Sequence, residues 1–270
     1  MAHKHVLEMF RLDGRIALVT GGARGLGKTI ATALAEAGAD VALAGRTLAT
    51  CEEAAAEIGM ATKRRVKAFR ADVAKSEDVT RLATDVAAQL GPIDILVNNA
   101  GNNIRGPIQE LNEADWDSVL DTNLKGPFLC SRAIGPEMVE RGWGRIINLG
   151  SILSVVAIPG RTPYASAKAG VTGLTRALAL EWAGTGVTVN AICPGYVATD
   201  MVWNGARNIV DRTGKSFEDA VQALADMNPG RRLIEPEEVA EAVARLIDDA
   251  ATNGECIVLD GTQPSPKGAR

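Results

Sequence analysis

Histidine is nearly missing from this chain of 270 residues: the two present, His3 and His5, both fall within the first five positions. A core without histidine has no imidazole general base and no histidine-rich metal site, which removes many hydrolytic mechanisms. Cysteine is sparse as well. Cys51, Cys130, Cys193 and Cys256 lie far apart with no CxxC pair, too thin for a disulfide framework, and read as reduced core thiols. Aromatic residues make up only 4% and tyrosines number two, so a tyrosine inside a functional pattern stands out.

Long hydrophobic runs are also lacking. Nothing approaches the roughly 18 uninterrupted apolar residues of a membrane span, and the opening MAHKHVLEMFRLDG contains no apolar signal-peptide core. The expectation is a cytoplasmic protein with no membrane partner. Nor is there an excess of positive charge: 29 basic against 33 acidic residues give a formal net charge of -4, so no overall field draws in a nucleic acid. Apolar residues, by contrast, reach 46%, ample for one sizeable core.

These residues are arranged as short β-branched runs alternating with Ala-rich helical stretches, the pattern of parallel strands joined by crossover helices. Strands are expected at 15–20, 41–44, 66–69, 93–97, 144–149, 187–192 and 256–259. Most are unbroken apolar runs, as when helices cover both faces of a sheet. Helices are expected at 25–38, 48–58, 76–90, 113–140, 164–182 and 236–248, with Ser76 and the Glu235 to Glu238 segment as capped, acidic starts. No repeat or linker divides the chain, so residues 1–270 read as one domain with a leader (1–13) and a tail (262–270). The irregular stretch 195–232 reads as a helical lid over a substrate pocket.

Directly after the first strand comes Thr20-Gly21-Gly22-Ala23-Arg24-Gly25-Leu26-Gly27, opening a helix. Glycines there permit a tight turn, let backbone N–H groups approach a pyrophosphate and set that anion at the positive helix end. The blander reading is a plain strand-to-helix turn. The spacing is TGxxxGxG, and it is here that the chain resembles the short-chain dehydrogenase/reductase family, whose glycine positions Gly21, Gly25 and Gly27 match. Leu26 belongs to the same turn.

The resemblance implies an α/β fold: a single-domain, Rossmann-type doubly wound parallel sheet of about seven strands with a helical substrate lid. It also implies a nicotinamide cofactor. In an NAD-binding site an acidic residue ending the second strand accepts hydrogen bonds from the ribose; here Gly45 stands in that place and Arg46 follows. Arginine pairs with a 2′-phosphate, and Arg24 in the glycine turn adds a second positive charge. NADP(H) is therefore expected, with NAD(H) as the other possibility, since Arg46 also reads as a solvated surface residue. Asp72 and Val73 resemble the family's adenine contact, and Asn98-Asn99-Ala100-Gly101 its turn beside the adenine ribose.

Tyr164-Ala165-Ser166-Ala167-Lys168 puts a phenol and a cation on one helical face. Free tyrosine is a poor base near neutrality, with a pKa of about 10; lowering it by about two units corresponds to roughly 2.7 kcal/mol of differential stabilisation by the ammonium. An exposed Tyr and Lys often share a helix face, but only Tyr164 of the two tyrosines has a lysine four residues on. The resemblance implies that Tyr164 moves the proton, Ser151 holds the substrate oxygen, Lys168 lowers the Tyr164 pKa and holds the nicotinamide ribose, and Asn123 supports a water-mediated relay. Pro194, Gly195, Val197 and Thr199 resemble the segment beside the nicotinamide, although Thr199 reads equally well as part of a strand-ending turn.

The implied reaction interconverts a ketone and a secondary alcohol on a small molecule. Asn102 to Pro107 resembles sugar-acid ketone reductases, with Arg105 able to pair with a carboxylate, whereas Ala183 to Ala191 and the lid resemble 3-oxoacyl and polyketide ketoreductases. Trp203, Met201 and Ile152 are candidates for an apolar pocket wall. Family habit implies a homotetramer built on the helix of Tyr164 and the 113–140 helix. The alternatives are an epimerase or dehydratase and a catalytically silent nucleotide-binding protein of the same fold.

Overall fold

A computed structural model of the chain describes residues 11–263. His3 and His5, most of the expected leader and the tail from 264 onward lie outside those residues. Among the described residues seven strands form one parallel sheet: β1 (Ile16–Thr20), β2 (Asp40–Gly45), β3 (Val66–Arg70), β4 (Ile95–Asn98), β5 (Gly144–Leu149), β6 (Val187–Pro194) and β7 (Cys256–Leu259), in the order β3-β2-β1-β4-β5-β6-β7. The order reverses between β1 and β4, where crossovers on opposite faces diverge and leave a crevice at the strands' carboxyl ends.

The unbroken apolar runs have a direct explanation. In β1, Ala17 and Val19 enter the core on one face while Ile16 and Leu18 enter the core on the other, and all four are buried. One face is covered by α1 (Gly25–Glu36), α2 (Leu48–Thr62) and α9 (Pro236–Asp248), the other by α3 (Ser76–Gln89), α5 (Gly126–Glu140) and α6 (Thr162–Glu181). Full burial of a side chain such as Leu18 contributes about 2 kcal/mol.

Three local expectations are corrected. The residue capping α3 is Lys75, not Ser76, and Asp78 instead accepts from the Asp72 backbone N–H at 2.9 Å. Glu235 and Glu238 do form a reciprocal cap on α9. The expected 113–140 helix is α4 (Glu113–Leu120) and α5 joined by a π-helical turn, Asp121–Lys125, so the register shifts at Asn123. The expected leader runs too far. Leu12 donates to the Ala37 carbonyl at 2.7 Å and packs on the core beneath α1.

The irregular 195–232 stretch contains α7 (Asp200–Thr213) and α8 (Phe217–Ala225). Val202, Ala206, Ala220 and Leu224 give these helices a small apolar core of their own, with Trp203 packed against it. The pair stands over the carboxyl ends of the strands.

Candidate active site

The carboxyl ends of β1, β4, β5 and β6 open into a cavity of about 1080 Å³, roofed by α7. Every residue singled out from the sequence as catalytic or cofactor-binding lines it. Met201 and Ile152 line it too. Trp203 does not: it faces a separate hollow between α1 and α9 and packs in the lid core, so it is not a wall of this cavity.

At the β1 end the backbone is positioned by Thr20. Its hydroxyl accepts from the N–H groups of Asn99 and Ala100 at 3.0 and 3.1 Å, and the Asn99 amide donates to the carbonyls of Thr20 and Gly21 at 2.9 and 3.2 Å. This locks the glycine turn to the turn after β4. Gly21 and Gly25 have φ of +65° and +50°, the left-handed region that favours glycine. A Cβ on Gly27 would collide with the Gly21 carbonyl and the Asn99 amide, so only glycine lets α1 start this close to β1. The α1 N-terminus has no side-chain cap and no acidic residue in its first turn. Its free N–H groups face the cavity and suit an anionic diphosphate.

Beyond this turn Gly45 ends β2, and a Cβ there would lie 2.8 Å from the Cys51 sulfur. Arg24 and Arg46 line the cavity, are exposed, and form no ion pair among the described residues. Asp72 accepts from the Ala74 N–H at 3.1 Å and sits beside buried Val73.

At the other end Ser151 follows β5, and Tyr164 and Lys168 come from the first turns of α6. The Ser151 hydroxyl lies beside the Tyr164 phenol, close enough to act on its pKa. Ser151 Oγ also accepts from the Leu153 N–H at 3.2 Å, which fixes its rotamer. Lys168, buried, donates from Nζ to the Leu149 carbonyl at 2.6 Å and lies 5.6 Å from the centre of the Tyr164 ring. Asn123, buried in the π turn, donates to Val119 O, Asn102 O and Asn102 Oδ1, each at 2.9 Å, while its own Oδ1 has no partner and points toward Gly101.

The electrostatics differ from the simple phenol–ammonium expectation. Burial raises the Tyr164 pKa above the ordinary tyrosine value; the Ser151 hydroxyl, then the Arg161 and Arg105 guanidinium groups, pull the other way without reversing it. Burial likewise lowers Lys168, to about 8. The net shift of Tyr164 is upward because desolvation outweighs the polar and charged groups around the phenol.

Arg161 went unnoticed in the sequence, where an arginine before a helix reads as an ordinary surface residue. It is 8% exposed, lines the cavity and lies beside Tyr196. Tyr196 is itself held by Asn228, whose Oδ1 accepts from the Tyr196 N–H at 2.8 Å and whose amide donates to the Tyr196 and Arg232 carbonyls. A Cβ on Gly195 would strike Asn228, which accounts for glycine after Pro194. Val197 bridges to Ile234, and the Thr199 hydroxyl donates to the Val197 carbonyl at 3.2 Å.

Residues 15–209 match the model of the short chain dehydrogenase family. The chain belongs to that family. Family members that resemble it include D-threitol dehydrogenase of Mycolicibacterium smegmatis, 40% identical over 93% of this chain and 94% of that protein. The 3-oxoacyl-(acyl-carrier-protein) reductase of Staphylococcus epidermidis is 38% identical over 91% and 97%. Among solved structures, L-sorbose reductase of Gluconobacter frateurii, complexed with NADPH and L-sorbose, superposes with a TM-score of 0.89 at 29% identity, covering 93% of this chain and 97% of that one. The family's nicotinamide-dependent oxidoreductase chemistry accordingly applies to this chain, and the silent nucleotide-binding alternative finds no support. No helix among the described residues is long and apolar enough to cross a membrane.

Proposed function

We propose that this protein is an NADPH-preferring reductase that interconverts a ketone and a secondary alcohol, with Tyr164 as the proton donor and acceptor. The observation that carries the reading is one cavity that joins Ser151, Tyr164 and Lys168 to the glycine turn. A nicotinamide dinucleotide supplies hydride transfer to or from the substrate carbon. Its diphosphate would be held by the backbone of Gly21, Gly25, Leu26 and Gly27, its adenosine by Arg24, Arg46, Asp72, Val73 and the Asn99 to Gly101 turn, and its nicotinamide end by Pro194, Gly195, Val197, Thr199 and Lys168.

Tyr164 protonates the carbonyl oxygen during reduction and takes the proton back from the alcohol in the reverse direction. A tyrosine is protonated at neutral pH, the state in which it can give its proton to the carbonyl oxygen. Ser151 donates to the same oxygen and stabilises its developing charge. Lys168 and Asn123 hold the water chain that reprotonates the phenol. NADPH preference is supported by the unpaired Arg24 and Arg46, by Gly45 where a carboxylate would repel a 2′-phosphate, and by NADPH in the sorbose reductase complex. The substrate is a 3-oxoacyl-type compound or a keto sugar acid, in keeping with the acyl and sugar substrates of the named relatives. Exposed Phe128 on α5 and Leu180 on α6 support assembly of a homotetramer through those helices.

Oxidation of NADPH followed with a panel of ketones, 3-oxo esters and keto acids tests the reading. Tyr164→Phe should lower kcat by about 10² to 10⁴. Turnover that survives the substitution would overturn the assignment.

A further inference from the structure

Arg161 is a guanidinium withdrawn from water without a carboxylate to answer it. It is 8% exposed and forms no ion pair among the described residues. Burying an uncompensated charge is costly, and proteins meet that cost with a counter-ion or a ligand. Here the cost is increased: burial first, then the nearby Arg105 charge, lowers the Arg161 pKa, and Tyr196 offsets only part of it.

Arg105 comes from a different element. It follows the turn after β4, lines the same cavity and reaches the lid, with Nη2 4.0 Å from where a Cβ of Gly205 would stand. Arg207, on α7, lines the cavity as well. Among the described residues the carboxylates lining it are Asp72, next to Val73, and Asp200, shared with the hollow next to Gly25. Arg161 and Arg105 thus bring positive charge to the end near Tyr164 from two separate segments.

The oxidoreductase reading fixes where the carbonyl must lie, against Ser151 and Tyr164, and on that reading we propose that Arg161, with Arg105, forms a receptor for a carboxylate on the substrate. Arg161 is the N-cap residue of α6, three residues before Tyr164, and its charge is close enough to act on the Tyr164 phenol. The carboxylate therefore lies a few bonds from the reacting carbonyl, as in a short 3- or 4-oxo acid, and not at the far end of a long acyl chain. Arg161 is a specificity-determining residue whose guanidinium lies beside Tyr196, a residue held through its backbone by Asn228. A planar guanidinium with free paired donors matches a carboxylate bidentately.

The test compares acetoacetate and levulinate with their methyl esters, using the intact protein and NADPH or NADH. Wild type should prefer acid to ester by more than about tenfold in kcat/KM; Arg161→Met should lower kcat/KM for the acids by about 100-fold, mainly through KM, and Arg161→Lys should recover part of the loss. Equal use of acid and ester by wild type would overturn the receptor while leaving the reductase reading intact. So would reduction of dihydroxyacetone phosphate with none of either acid, which would mark a phosphate site. Calorimetric titration of levulinate into wild type and Arg161→Met needs no turnover. Binding lost in the variant supports the receptor even if hydride transfer fails, and levulinate bound no tighter than its methyl ester overturns it.

Discussion

Lys168 Nζ donates to the Leu149 carbonyl at 2.6 Å, so the buried amine on α6 is tied to the last residue of β5. Burial lowers its pKa to about 8, below the value of about 10.4 expected in the unfolded chain. Between these values the unfolded chain holds more protons than the folded one, so stability rises with pH across that window. Below about pH 8 the cost of charging the buried amine is present in full. In urea unfolding, wild type should gain about 1 to 3 kcal/mol relative to Lys168→Met from pH 8 to pH 10. Parallel pH dependences for the two proteins would contradict the burial argument.

Tyr164 should ionise above the ordinary tyrosine range in the isolated protein, because its burial outweighs the Ser151 hydroxyl and the Arg161 charge. Ultraviolet titration of phenolate, with Tyr164→Phe as the blank, reads this directly. Arg161→Met should push the phenol higher still. An apparent pKa unmoved by that substitution would mean that the guanidinium does not act on the phenol.

Two glycines of the turn should fail for different reasons. Gly27→Ala places a methyl group against the Gly21 carbonyl and the Asn99 amide, and should cost about 1 to 3 kcal/mol by overpacking. Gly25→Ala meets nothing within 4 Å but keeps a left-handed φ of +50°, and should cost about 1 to 2 kcal/mol. Thermal unfolding with and without NADPH separates loss of stability from loss of nucleotide binding. A Gly27→Ala protein as stable as wild type would show that α1 can move away from β1.

Arg46→Asp should shift the NADPH-to-NADH ratio of kcat/KM by about 100-fold toward NADH, through loss of a phosphate partner and gain of a like charge. Wild type already favouring NADH would remove the basis for assigning Arg46 to a 2′-phosphate.

Much of this protein was legible in one dimension because its signals are local. Strand runs, helix periodicity and the glycine turn depend on residues a few positions apart, and β1, β5, β7 and α9 fall within a residue of where the sequence places them. The Tyr164 and Lys168 spacing is a property of one helix face. What those residues experience is not local. Whether Tyr164 is helped by a cation depends on how deeply α6 packs, and only the folded chain turns the neighbouring Arg161 inward and brings Arg105 and Tyr196 to it from distant segments. The π turn that turns Asn123 inward arises from packing among α4, α5 and α6, which no periodicity reports. Sequence alone determined the fold and the chemical groups available. The tertiary structure decided their protonation and the charge facing the substrate, because desolvation and Coulomb interactions depend on distances that contact order hides from the chain.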